Sequence, residues 1–252
     1  MSQYYTAKRK NNLYQKSSKD PFKVSRSKID LFLNCPRCFY LDRKFGIGRP
    51  PGYPFSLNSA VDALLKKEFD IHRAKNTIHP LMKAYGLDLV PFHHKDIGIW
   101  RENFKGIQYL DEKTNFIITG AIDDVWVDKK KIIYIVDYKA TSKAEEVNID
   151  AEWQIAYKRQ MEVYQWLFRK NGFKVSETGY FVYCNGKTDK EAFDAKLEFD
   201  IKIIPYNGND SWVEKTIGDI YDCLQEDRIP KASPDCDYCA YTKAVGLTKR
   251  AA

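Results

Sequence analysis

Apolar residues recur along this chain with two different periods, and the change from one to the other divides it into segments. Ser25-Arg-Ser-Lys-Ile-Asp reads as a helix start, with Ser25 or Ser27 as cap and Ile29, Leu31, Phe32 and Leu33 as the apolar face. This helix runs into a cysteine pair. Gly46 through Pro54 is turn chemistry, and a second helix follows over 58–70, with Val61, Leu64, Leu65 and Phe69 at helical spacing. A third is expected at 74–86. From about 97 the pattern turns to strands at 106–110, 116–127 and 131–138, read as an antiparallel meander. Helical periodicity returns over 151–170 and stops at Asn171-Gly172. Two strands are expected at 177–184 and 197–204, then a helix near 210–226 and a short tail. No internal repeat or low-complexity tract interrupts this order.

At 252 residues and 44% hydrophobic content the chain can bury a sizeable core. The expectation is one domain over 25–241, a basic flexible arm at 1–24 and a tail at 242–252. The net charge of +7 is concentrated at the front: residues 1–28 hold eight basic side chains against Asp20 alone, and the remainder carries 33 of each sign. Such an arm suits a polyanion, because each Lys or Arg near a phosphate releases a condensed counterion; a solvated leader is the plainer reading. No run of about 18 apolar residues and no cationic leader followed by an apolar stretch is present, so neither a membrane span nor a secretory signal is expected. A cytoplasmic location follows. Six cysteines, four of them in two C-x-x-C pairs, fit reduced metal-binding thiols better than a disulfide framework.

Asp-x-Lys recurs six times in a chain that is 30% charged, so context must select among the copies. Only Asp137-Tyr138-Lys139 ends an apolar run, Ile132 to Val136, where alternation puts Asp137 and Lys139 on one strand face. Fourteen residues upstream, Gly120-Ala-Ile-Asp123 ends in a second carboxylate that a hairpin through Asp128–Lys131 can bring beside Asp137. Two such carboxylates offer hard oxygen ligands to magnesium or manganese, and Lys139 can orient a water or offset phosphate charge. A salt-bridged strand surface is the bland alternative. His72, His79, His93 and His94 are scattered and offer no competing site.

Gly-x-x-Asp123, the strand ending Val136-Asp137-Tyr138-Lys139, and Gln160-Met-Glu-Val-Tyr164 on the next helix together resemble the motifs of RecB-like PD-(D/E)XK nucleases. Ser25-Arg-Ser and Asn34-Cys-Pro-Arg-Cys are similar to the opening of the same family, and the resemblance covers most of 25–241. It implies an α/β, restriction-endonuclease-like core: a central mixed β-sheet flanked by helices. It also implies catalytic roles for Asp123, Asp137, Lys139, Gln160 and Tyr164. Where the family often carries a metal-binding histidine, this chain aligns Asp62, which would join Asp123 and Asp137 as a metal ligand and favour a hard cation.

Cys35, Cys38, Cys236 and Cys239 form the two C-x-x-C pairs, which must meet in space to make a four-thiolate site for zinc or an iron–sulfur cluster. AddB-type and CRISPR-associated relatives carry a 4Fe-4S cluster on one early and three late cysteines. This chain departs from that pattern, having no cysteine after Cys239, and zinc against iron stays open. Cys184 and Cys223 read as core residues.

The expected activity is divalent-metal-dependent hydrolysis of DNA phosphodiesters, on single strands or ends, by a protein working in a repair, recombination or CRISPR/defence complex. Tyr157, Trp153 and Trp166 are stacking candidates that helical spacing equally assigns to the core. The rival readings are an inactive nucleic-acid-binding module of the same fold, an RNA-directed nuclease and a zinc-stapled interaction protein.

Overall fold

The computed structural model describes residues 5–52 and 55–248. Residues 1–4 of the expected arm, Tyr53 and Pro54 of the expected turn, and 249–252 of the expected tail lie outside the described residues. In chain order the elements are β1 (Phe22–Ser25), α1 (Arg26–Asn34), α2 (Pro36–Phe45), α3 (Ser56–Lys75), α4 (Pro80–Ala84), β2 (Val90–Pro91), α5 (Ile97–Trp100), β3 (Ile107–Asp111), β4 (Phe116–Gly120), β5 (Asp124–Val127), β6 (Ile133–Thr141), α6 (Ile155–Lys170), β7 (Thr178–Gly186), β8 (Phe199–Asn207), α7 (Val213–Gln225) and α8 (Asp237–Thr248). They fall into two compact units: Met1–Tyr53 with Leu110–Ile118 and Ser211–Ala252, and Pro54–Tyr109 with Thr119–Asp210. No helix among the described residues is long and apolar enough to cross a membrane.

In the first unit, α1 starts after Ser25, whose backbone is extended; the Ser25 hydroxyl caps no amide and instead lies 3.0 Å from that of Ser27. Cys35 separates α1 from α2, and Pro36 opens α2 at the position where a missing N–H costs nothing. Gly46 ends α2 at φ 73°, where a side chain would also strike the Arg9 carbonyl at 2.1 Å, so only glycine fits. Helix α7 buries Val213, Ile217, Ile220 and Leu224 along one face and packs against α1 and α2. The basic arm is tied in by the Tyr14 amide, which donates to the Arg43 carbonyl at 2.8 Å, and by the Tyr14 ring, set edge-on to Phe22 and Phe116.

The second unit is built on a five-stranded mixed sheet in the order β2-β5-β6-β7-β8. Only the β6–β7 pair is parallel, and α6 supplies the crossover that such a pair requires. Strand parity assigns the faces. On β6 and β7 the even-numbered Val136, Tyr138, Tyr180 and Val182 pack with Leu65 and Phe69 of α3. The odd-numbered residues face α6: Tyr157 sits against Phe181, and a side chain at Gly179 would meet the Met161 sulfur at 2.4 Å. Covered on both faces, β6 reads as a continuous apolar run rather than an alternating one. This is the expected mixed sheet flanked by helices.

Several elements differ from expectation. The predicted strand at 116–127 is interrupted at 121–123, so β4 joins a separate sheet of order β1-β4-β3 while β5 pairs with β6. The meander is thereby divided between two sheets. The predicted helix at 74–86 breaks because Asn76 takes a left-handed conformation (φ 51°) and α4 begins afresh at Pro80. Residues 97–100 form a helical turn ahead of the expected strands, and the cysteine-bearing tail continues as α8. The two short strands β1 and β2 carried no periodic signal of their own.

Candidate active site

The β5–β6 hairpin fixes the position of the first two carboxylates. Asp128 closes its turn, accepting from the amides of Lys130 at 2.9 Å and Ile132 at 2.8 Å, and the resulting register sets Asp124 opposite Val136. Asp123 therefore arrives beside the Asp137–Tyr138 peptide, and its Oδ2 accepts the Tyr138 amide at 2.9 Å. Asp137 is fully buried. Its Oδ1 accepts from Gln160 Nε2 at 2.7 Å, and its Oδ2 pairs with Lys139. The Lys139 ammonium also lies 3.5 Å from Gln160 Oε1 and 4.3 Å above the Tyr157 ring. Gln160 donates in addition to the Tyr164 hydroxyl at 3.2 Å, as their i, i+4 spacing on α6 allows.

Asp62 enters from α3. Lys66, one turn further along that helix, reaches Asp62 Oδ2 at 2.8 Å and Asp123 Oδ1 at 3.2 Å, so one ammonium joins both carboxylates. Burial and then the Asp123 charge raise the pKa of Asp62, only partly opposed by Lys66. Burial would lower Lys66, but Asp123 and Asp62 outweigh it and hold the lysine above its ordinary value. The position between these two carboxylates therefore favours positive charge.

Sequence reasoning missed Lys66, although its i, i+4 relation to Asp62 is visible. It also missed the support beneath Asp123. The neighbouring Asp124 is fully buried and is held by Arg73, by Arg101 Nη2 at 3.1 Å and by the Tyr138 hydroxyl at 2.7 Å. Arg101 Nε donates to the Asp123 carbonyl at 2.9 Å, tying the motif carboxylate to this buried ion-pair group. Among the aromatic candidates, Trp166 is buried edge-on to Tyr109, Tyr157 is half-buried under Lys139, and Trp153 is exposed. The histidines form no metal group among the described residues. His79 is engaged with Glu68, His72 lies against His79, and His94 stacks on Trp100.

Asp62, Asp123 and Asp137 offer the oxygen donors that a hard divalent cation prefers, with the Lys66 ammonium between the first two, but among the described residues only the four cysteines come close enough together to form a metal group. Here they remain engaged with ammonium groups, Asp62 and Asp123 with Lys66 and Asp137 with Lys139.

The first unit brings Cys35, Cys38, Cys236 and Cys239 together, with all four sulfurs within 4.8 Å of one another and no disulfide among them. They are compatible with a zinc or iron–sulfur site. Burial would raise the Cys35 thiol, but hydrogen bonds from the Ser233 and Cys38 backbone and from the Cys236 and Cys38 thiols bring it down to about 6. Burial and its thiol neighbours push Cys239 up. Cys184 is buried and Cys223 half-buried, each raised to about 11 by desolvation, as befits packing residues.

In the second unit, then, Asp123, Asp137 and Lys139 meet at β6, where Gln160 of α6 reaches Asp137. The chain belongs to the PD-(D/E)XK nuclease superfamily, whose family pattern matches residues 57–244. Metal-dependent nuclease chemistry is what that membership implies. No curated protein matches the chain. Among solved structures, that of SSO0001 is similar at 16% identity over 90% of this chain and 86% of that one, with a TM-score of 0.39, too distant to bear on function.

Proposed function

We propose that this protein is a divalent-metal-dependent deoxyribonuclease of the RecB-like branch, cutting single-stranded DNA or DNA ends. The observation that carries the reading is the convergence on Asp137 of two other motif residues, Lys139 through its ammonium group and Gln160 through its amide. In this reading Asp62, Asp123 and Asp137 hold magnesium or manganese, which supplies charge neutralisation at the phosphate and a more acidic water. Gln160 keeps the Asp137 carboxylate oriented, and Tyr164 fixes Gln160. Lys139 gives a hydrogen bond to the attacking water or to the scissile phosphate, positioned by Gln160 and the Tyr157 ring. Residues 25–241 constitute the working domain, and the basic residues of 1–24 add phosphate contacts.

Cleavage of labelled single- and double-stranded DNA and matched RNA tests this, using wild type and Lys139→Ala with magnesium, manganese or chelator. The expected result is metal-dependent cutting of DNA by wild type and a loss of at least about 100-fold in the variant. Cutting confined to RNA would move the assignment to an RNA-directed nuclease. Equal DNA binding by both proteins with no cutting would make this an inactive binding module.

A further inference from the structure

We propose that the four-cysteine site takes a single tetrahedral metal ion, zinc, rather than a four-iron cluster. Two observations carry this, and neither depends on the nuclease reading.

The first is spacing. Cys38 Sγ lies 3.5 Å from Cys236 Sγ and 3.6 Å from Cys239 Sγ, and Cys35 Sγ lies 3.9 Å from Cys239 Sγ. A tetrahedron with metal–sulfur bonds of about 2.3 Å has edges of about 3.8 Å, so these separations are those of four thiolates round one ion. In a four-iron cluster each thiolate binds a different corner, which spreads the sulfurs to roughly 6 Å. All six separations here lie within 4.8 Å. Seating a cube would require the α1–α2 junction and the start of α8 to move apart, although Cys35, Cys38 and Cys236 are buried.

The second is local symmetry. Cys35 precedes the first residue of α2 and Cys38 is its third residue; Cys236 and Cys239 stand in the same positions relative to α8. Each pair closes the same first turn, with Phe39 N donating to Cys35 O at 3.1 Å and Ala240 N to Cys236 O at 2.9 Å. Two helix starts thus offer matched pairs of sulfurs to one point, where the partial positive charge of each first turn favours thiolate. Arg49 adds a full charge, its Nη2 donating to Cys236 Sγ at 3.4 Å, which partly offsets the net double negative charge of a zinc tetrathiolate.

Binding needs no redox step: four thiols lose their protons to solvent and four zinc–sulfur bonds form. The test is elemental and acid-labile-sulfide analysis of the full chain purified without oxygen, followed by cobalt replacement of the bound metal. The expected result is one zinc per chain, no labile sulfide, and the visible bands of tetrahedral thiolate-bound cobalt. Chelator should lower the thermal midpoint, and Cys236→Ser with Cys239→Ser should abolish the cobalt bands. Stoichiometric iron and sulfide with broad visible absorption would overturn the proposal in favour of a cluster. Metal-free protein with four titratable thiols and no cobalt bands would overturn metal binding altogether. Neither outcome touches the carboxylate site, and failed DNA cleavage would leave the zinc result standing.

Discussion

The ring of Tyr164 occupies the space that a side chain at Gly120 would need: a Cβ built there would lie 2.5 Å from Cε1 and 2.9 Å from Cδ1. The glycine of Gly-x-x-Asp and the tyrosine of Gln-x-x-x-Tyr are thus one packing feature, and Tyr164 in turn receives the hydrogen bond that steadies Gln160. Gly120→Ala should displace the ring, lower stability by roughly 1–3 kcal/mol and reduce cleavage. Urea denaturation alongside cleavage assays checks it. Unchanged values in both would show that the contact bears no weight.

In the proposed reading, Lys66 would compete with metal for Asp62 and Asp123, both of which it reaches. Lys66→Met keeps the length of the stem, removes the cation and leaves both carboxylates in place. Manganese affinity, measured by calorimetry, should tighten by on the order of tenfold, equivalent to roughly 1.4 kcal/mol. Weaker binding in the variant would instead make Lys66 a positioning group for the carboxylates.

Asp42 links pH to stability in the first unit. Although only 3% exposed, it receives Lys28 and Arg43 at 2.8 Å each and Arg9 at 3.2 Å. Burial alone would raise its pKa, but the hydrogen bonds and charges of Lys28 and Arg43 hold it below the ordinary aspartate value. A depressed folded pKa contributes stability that is full above about pH 3.9 and is lost as pH falls through the lower folded value. Asp42→Asn should therefore destabilise by roughly 3–5 kcal/mol at pH 7, and the gap from wild type should close under acid. A gap that does not narrow as the pH falls below about 3.9 would show that the residue acts through shape rather than charge.

How much of the site was legible depended on sequence distance. Asp137 and Lys139 sit two apart on a strand, Gln160 and Tyr164 four apart on a helix, and each cysteine pair three apart at a helix start. Backbone geometry repeats at those intervals, so a shared face follows from spacing alone. The crossover helix was legible for the same reason, since the apolar face of 155–170 carries its own period, whereas the mixed sheet was expected only from the resemblance: the strand pattern alone gave an antiparallel meander.

The break at 121–123 had no local signal, because it reflects the division of β4 and β5 between two sheets. The burial of Asp124 and the reach of Lys66 to Asp123 were likewise silent, because a charged residue looks alike whether it faces water or a buried partner.

The sequence by itself determined which side chains share a face, the order of the principal elements and the pairing of chemistry within each motif. Tertiary structure alone decided that Lys66 would join Asp62 to Asp123, that Asp124 would be buried with Arg73 and Arg101, and that two cysteine pairs about two hundred residues apart would meet within 4.8 Å. The physical reason is that periodicity is written in neighbouring residues, whereas charge pairing and metal geometry depend on distances that arise only when remote segments pack.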